Sequence, residues 1–336
     1  MSQPRIIVIG ASAGGVPALS ELVGGLPDDL DAAIFIVLHV PPHSPSRLQD
    51  ILGRCTRLSV VAAEDGAPIR TGQLVVAQAD RHLMIDEKVV RVTRGPKESR
   101  VRPAIDVLFR SAAAAHGPRV IGVVLTGTLD DGTAGLWAIK DRGGIALVQQ
   151  PETAEFPSMP ESAIRNVAVD GVLSVQDMAA ELMRRVKAPP APDGMRPVPE
   201  RMRVENLIGR EGNGLEAGSM ELGNVSKYTC PECHGVLVQI EEGTIVRFRC
   251  HTGHAFSIKS LLADVNDAID TGLWATLRAV EERIMLLDQM QELATKAGAT
   301  AVADAAGLQA ASARERVETL RALVLDDNLF GHLPED

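Results

Sequence analysis

A chain of 336 residues with 45% hydrophobic content can bury at least one full core and has the length for more than one domain. Its formal net charge of -10 and sequence pI near 5.4 argue against nucleic acid or an anionic membrane surface as partner. No N-terminal segment has the basic region, apolar run and small-residue cleavage site of a signal peptide, and no apolar stretch reaches the roughly 20 residues that span a bilayer. A cytoplasmic location without membrane insertion is therefore expected.

The first predicted element is the strand "IIVIGA" at residues 6–11, which breaks at Ser12 into a turn carrying Gly14 and Gly15 ahead of a helix. A βα turn of this kind offers free backbone N–H groups that suit a phosphate or a developing oxyanion equally well. Short apolar runs then alternate with helical stretches to about Lys187: "AAIFIVLH", "RLSVVAA", "QLVVAQ", "VIGVVLTG", "GGIALVQQ" and "DGVLSV". Several are apolar on both faces, as parallel strands covered by helices on each side must be. The expectation for residues 1–187 is an α/β domain with a doubly wound, mainly parallel sheet.

In such a sheet, ligands bind beyond the carboxyl ends of the strands. Three strand ends deliver polar residues there: Ser12, His39 in "LHVPP", and the pair Asp130 and Asp131 in "TGTLDDG". A serine hydroxyl is a weak nucleophile until an imidazole takes its proton, and a carboxylate orients that imidazole, so the set has the logic of a triad. Spacing alone leaves other readings open: Ser12 as a helix cap, His39 as an ordinary loop histidine, the Asp pair as a turn before Gly132. It also does not separate Asp130 from Asp131. A phosphate role for the turn loses ground, because Gly10, Gly14 and Gly15 do not have dinucleotide-fingerprint spacing and the second strand ends in His39 without an acid.

Residues 188–226, with "APPAPDGMRPVPE" and "GREGNGLEAGSMELGN", read as a Pro/Gly-rich linker, at least partly disordered. Residues 227–256 form a Cys/His module. Cys230 and Cys233 make a C-x-x-C, and two alternating segments, "VLVQIEE" and "IVRFRC", predict a hairpin turned at Gly243 that brings Cys250 back to them. With one histidine these thiolates make a closed tetrahedral site, so a structural zinc ion is expected in a zinc-ribbon-like module. His254 is preferred to His251 as the fourth ligand because the chain can loop back through Gly253, although the sequence leaves both open. In residues 257–336, Leu261, Val265, Ile269, Leu273, Leu277, Val280, Ile284 and Leu287 draw one apolar stripe. A second uses Ala313, Val317, Leu320 and Val324, so a helical hairpin or coiled-coil tail is expected, with self-association or a regulator as its use.

Six segments, "IGASAGG", "LHVPP", "ADRHLMI", "RPAIDVLFRSAA", "VVLTGTLDDGTAGL" and "FPSMPESAI", resemble in order and spacing the catalytic domain of the CheB-type chemotaxis protein-glutamate methylesterases. The resemblance covers roughly residues 5–185. It implies a doubly wound α/β fold and hydrolysis of glutamate methyl esters on the cytoplasmic helices of chemoreceptors or similar signalling proteins, with deamidation of receptor glutamines as a second reaction and no catalytic cofactor. Carried over by motif, Ser12 is the nucleophile, His39 the base and Asp131 the orienting acid, with the backbone N–H groups of Ala13 and Thr128 as oxyanion donors. Arg102 is placed near acidic receptor side chains, with a solvated surface arginine as the competing reading. The family usually has glycine where this chain has Leu129, which implies a shifted loop. The chain also opens on the first catalytic strand, so no attached receiver domain is expected to control it. The tail resembles zinc-ribbon and helix extensions of some receiver-less relatives. A non-catalytic scaffold of a chemosensory pathway is the alternative function.

Overall fold

The structure is a computed structural model that describes residues 4–43, 47–190, 197–326 and 328–331. The first strands and helices follow the alternation read from the sequence: β1 (Arg5–Ala11), α1 (Gly15–Gly24), β2 (Ala32–Leu38), α2 (Leu48–Gly53), β3 (Ser59–Ala62) and β4 (Gln73–Val76). A two-stranded antiparallel ribbon, β5 (His82–Ile85) with β6 (Val90–Thr93), precedes α3 (Ile105–His116). Then come β7 (Val120–Val124), α4 (Thr133–Asp141), β8 (Ile145–Gln149), α5 (Ser158–Asn166), β9 (Gly171–Leu173) and α6 (Val175–Lys187).

Seven strands form one sheet in the order β3-β4-β2-β1-β7-β8-β9, and every pairing in it is parallel. Both faces are covered. Ile6, Val8, Phe35 and Val124 point toward α3, α4 and α5, whereas Ile7, Ile9, Ile36 and Val123 point toward α1, α2 and α6. This is why the strands read as unbroken apolar runs rather than alternating ones. The chain leaves β1 toward β2 on one side and returns to β7 on the other, so the order reverses at β1. Crevices for ligands open at such a point, outside the strand carboxyl ends.

The segment expected as a linker carries regular structure instead. Helix α7 (Glu200–Glu211) puts Met202 into the core beside α3, and α8 (Gly214–Ala217) follows it. The linker reading failed because the helix sits between Pro-rich and Gly-rich stretches and buries Glu205, a residue that sequence patterning assigns to solvent. Strands β10 (Asn224–Thr229), β11 (Val236–Glu242), β12 (Ile245–Cys250) and β13 (Ala255–Ser257) make an antiparallel sheet, with the predicted turn at Gly243 in the left-handed region that glycine favours.

Residues 1–261 form one compact unit, so the Cys/His module is joined to the α/β domain. A buried ion cluster joins them. Arg110 of α3 makes a bidentate pair with Glu98, Arg249 of β12 donates to both Glu98 and Glu205 at 2.9 Å, and Arg247 pairs with Glu205. Arg249 has no exposed surface at all. The remaining unit, residues 262–336, contains most of α9 (Ile258–Lys296) and all of α10 (Thr300–Val324). Leu277 and Ile284 pack against Ala313, Val317 and Val324, and the pairing of Arg283 with Gln309 and of Glu281 with Arg321 makes the hairpin antiparallel. Val265 and Ile269, on the same apolar stripe, are exposed.

Candidate active site and metal site

Ser12 leaves β1 at its carboxyl end, and its N–H donates to Thr126 O at 3.0 Å, across the reversal between β1 and β7. Gly14, at φ 71°, turns the chain into α1, and a side chain there would collide with Glu155 and Thr126. The post-β7 loop lies directly against the serine: a Cβ on Gly127 would come within 2.8 Å of Ser12 Cβ. That loop is held from behind by the "FPSMP" segment. Gly127 N–H donates to Phe156 O, Met159 N–H to Gly127 O, and Ser158 Oγ to Leu129 O.

His39 follows β2 and joins the other two residues. Its Nδ1 lies 3.0 Å from Ser12 Oγ and its Nε2 lies 2.8 Å from Asp131 Oδ2. A carboxylate only accepts, so the network sets the tautomer: Nε2 carries the proton toward Asp131, and Nδ1 is free to accept from the serine hydroxyl. Asp131 is buried and accepts main-chain N–H groups from Ile105 (2.7 Å), Asp106 (3.1 Å) and Gly132 (3.0 Å). Ile105 and Asp106 open α3, where N–H groups lack intrahelical partners and the dipole favours an anion. The sequence left Asp130 and Asp131 unseparated, and the geometry gives them different partners: Asp130 faces away and accepts from Ser257 Oγ at 2.7 Å.

Asp106, inside the quoted "RPAIDVLF" motif, is a site residue that sequence reasoning missed. Its Oδ1 accepts from Gly132 N–H (3.0 Å) and Gly135 N–H (2.6 Å). Burial first, and the neighbouring Asp131 second, push its carboxyl well above the usual range. Burial beside a second carboxyl therefore favours the protonated form of Asp106. The only sequence signal for it was an acid one residue into a helix otherwise apolar at its start.

Among the described residues, the N–H groups of Ala13 and Thr128 have no hydrogen-bond acceptor. Ala13 is half-buried and Thr128 is exposed. Leu129 takes φ 61°, the left-handed region that costs an L-residue about 1–2 kcal/mol. A cavity of about 470 Å³ opens beside His39 and includes Val40, Pro41, Lys97, Arg100 and Arg102 in its lining. Arg102 is not the solvated arginine of the competing reading: it donates to Asp80 Oδ1 through Nε and Nη2 and to Gly95 O through Nη1.

In the module, one donor atom each from Cys230, Cys233, Cys250 and His254 fall within 4.8 Å of one another. Cys233 Sγ and Cys250 Sγ are 3.6 Å apart, and His254 Nδ1 is 3.7 Å from Cys230 Sγ and 3.6 Å from Cys250 Sγ. Ligands bonded at about 2.0–2.3 Å to a tetrahedral zinc ion stand roughly 3.5–3.8 Å apart, so this donor set fits that ion. His251 is outside the cluster, with its ring against Gly235, where a Cβ would lie 2.4 Å from its Cε1.

Comparison with known proteins agrees with this architecture. The sequence model of the family described as CheB methylesterase matches residues 7–182. A Leptospira interrogans protein provisionally named protein-glutamate methylesterase/protein-glutamine glutaminase is 39% identical over 179 residues, which are 53% of this chain and 93% of that protein. An Anaeromyxobacter dehalogenans protein-glutamate methylesterase/protein-glutamine glutaminase is 40% identical over 178 residues, covering 53% of this chain and 52% of its own length. Among solved structures, the catalytic domain of a Thermotoga maritima CheB methylesterase superposes with TM-score 0.53 at 33% identity, over 55% of this chain and 99% of its own. The matched region stops before the Cys/His module. No helix among the described residues is long and apolar enough to cross a membrane.

Proposed function

The chain belongs to the CheB methylesterase family, and on that premise we propose that it is a serine hydrolase cleaving glutamate methyl esters on chemoreceptor helices or a similar signalling protein. The observation that carries this reading is His39, which spans Ser12 and Asp131 with hydrogen bonds of 3.0 and 2.8 Å. In the first half-reaction Ser12 Oγ attacks the ester carbonyl and passes its proton to His39 Nδ1. Asp131, held by three main-chain N–H groups, stabilises the imidazolium. The tetrahedral oxyanion is received by the N–H groups of Ala13 and Thr128. As the C–O bond breaks, the imidazolium returns the proton to the departing oxygen, giving methanol and an acyl-serine. Water, deprotonated by His39, hydrolyses that ester to free glutamate and Ser12. Glutamine deamidation follows the same course with ammonia leaving, because a protonated imidazole serves an amide nitrogen as it serves an alkoxide.

The cavity beside His39 is lined by Lys97, Arg100 and Arg102 together with Asp80; Arg102 pairs with Asp80 and Lys97 with Glu232, so the entrance carries both charges, and it is where a receptor segment in the cytoplasm would enter. No catalytic cofactor enters this reaction. Zinc bound by Cys230, Cys233, Cys250 and His254 is proposed to be structural, since four protein ligands leave no open position. The intact triad spacing counts against the scaffold reading. A fluorophosphonate probe tests the choice: an adduct at Ser12 that disappears in His39→Ala is expected, and a wild type that resists the probe contradicts the esterase.

A further inference from the structure

The loop that carries the acid is strained and needs an external hold. Between β7 and α4 the chain places Leu129 at φ 61° immediately before Asp130 and Asp131. A leucine held there costs about 1–2 kcal/mol relative to the right-handed region, so relaxation of this residue would carry Asp131 with it unless something else fixes the loop. The elements behind the loop hold Gly127 and the Leu129 carbonyl, and α3 receives Asp131. Asp130, the residue between, is held by a group from a different part of the chain.

That group is Ser257. Its Oγ donates to Asp130 Oδ1 at 2.7 Å while accepting the Ser260 N–H at 3.0 Å, and Ser260 Oγ in turn accepts the Ser257 N–H at 2.8 Å. This reciprocal pair is a capping arrangement at the start of α9, so the hydroxyl hydrogen is directed outward to Asp130 and the helix N-terminus faces the same carboxylate. Ser257 is itself fixed in place. It ends β13, which pairs with β12 on one edge, while on the other Ser99 N–H donates to Ala255 O at 2.8 Å and Ala255 N–H to Lys97 O. Arg249, fully buried, ties β12 to Glu98 of the same loop. The Cys/His module therefore presents a rigid donor to the residue adjoining the catalytic acid.

We propose that Ser257 is a positioning residue for the esterase: by holding Asp130 it keeps Asp131 aligned on His39, so part of the active-site geometry is supplied from outside the family domain. This rests on the esterase reading above. The test measures turnover of methylated receptor, Ser12 labelling by a fluorophosphonate, and amide exchange of residues 127–133, all on the full chain. Ser257→Ala is expected to lower kcat and the labelling rate about tenfold, leave KM within about twofold, and speed exchange of the loop; Ser257→Thr, which keeps the hydroxyl, restores all three. Ser260→Ala removes half of the cap without touching Asp130 and should keep kcat near wild type. In an Asp130→Ala background, Ser257→Ala should add nothing. Unchanged kcat and exchange in Ser257→Ala overturns the proposal, as does an equal fall in Ser260→Ala, which would make the effect one of helix capping. Labelling of wild-type Ser12 is the control that separates these failures from failure of the esterase reading.

Discussion

Asp106 and Asp131 share the Gly132 N–H, each with an oxygen 3.0 Å from it, inside the protein and at the start of one helix. Two carboxylates this close do not both ionise readily, and their environments differ: Asp131 takes three N–H groups and the imidazole, while burial favours the protonated form of Asp106. Asp106→Asn is isosteric with the protonated form that burial favours and should retain activity within about threefold. Asp106→Ala leaves the Gly135 N–H unpaired and should cost about 1–3 kcal/mol of stability along with most of the activity. Steady-state kinetics and urea unfolding of the two variants check this, and an inactive, folded Asp106→Asn contradicts the neutral assignment.

Stability should fall on acidification, and His116 sets the first part of the slope. Burial, and then Arg119, lower its pKa to about 4, and Arg119 Nη2 donates to its Nδ1 while its Nε2 meets Asp86 O, so only the neutral ring fits. The unfolded chain binds this proton near pH 6.5 and the native chain only near 4, so between those values the unfolded state holds more protons and stability rises with pH. The contribution is complete above about 6.5 and lost toward 4, up to about 3 kcal/mol. Glu98, held down to about 2 by Arg110 and Arg249 against its burial, extends the loss below 4.5. Urea unfolding against pH should show His116→Gln flattening the 6.5-to-4 segment; an unchanged slope contradicts the assignment.

Purified full chain should contain about one zinc ion, by inductively coupled plasma measurement, and Cys230→Ser should lose it and unfold at lower temperature. His251→Ala should keep the metal and His254→Ala should not. A native, metal-free protein contradicts the site.

Arg249→Met removes one of the three buried cations of the cluster and leaves Glu98 and Glu205 to Arg110 and Arg247 alone, an uncompensated buried charge that should cost about 3–5 kcal/mol in urea unfolding. A loss under about 1 kcal/mol would mean that the Cys/His module and the α/β domain do not depend on this cluster.

The sheet was legible because its inner strands are buried on both faces and so appear as apolar runs, and Ser12, His39 and Asp131 could be nominated because each sits at a strand end. What separates Asp131 from Asp130 is not in the sequence spacing: it is the free N–H groups of α3, brought near by packing. Glu205, Arg247 and Arg249 misled for a related reason. Patterning assigns charge to solvent, whereas here the charges neutralise one another inside, hiding both α7 and the joining of the module to the α/β domain. Ser257 lies 127 residues from Asp130, and no local signal links them.

Methanol release from a methylated receptor tests the central claim most directly. The full chain should release methanol from the methylated but not the unmethylated receptor, and Ser12→Ala should fall by at least about a thousandfold while remaining folded. Methanol release undiminished in Ser12→Ala, or none from the wild type, would contradict the account.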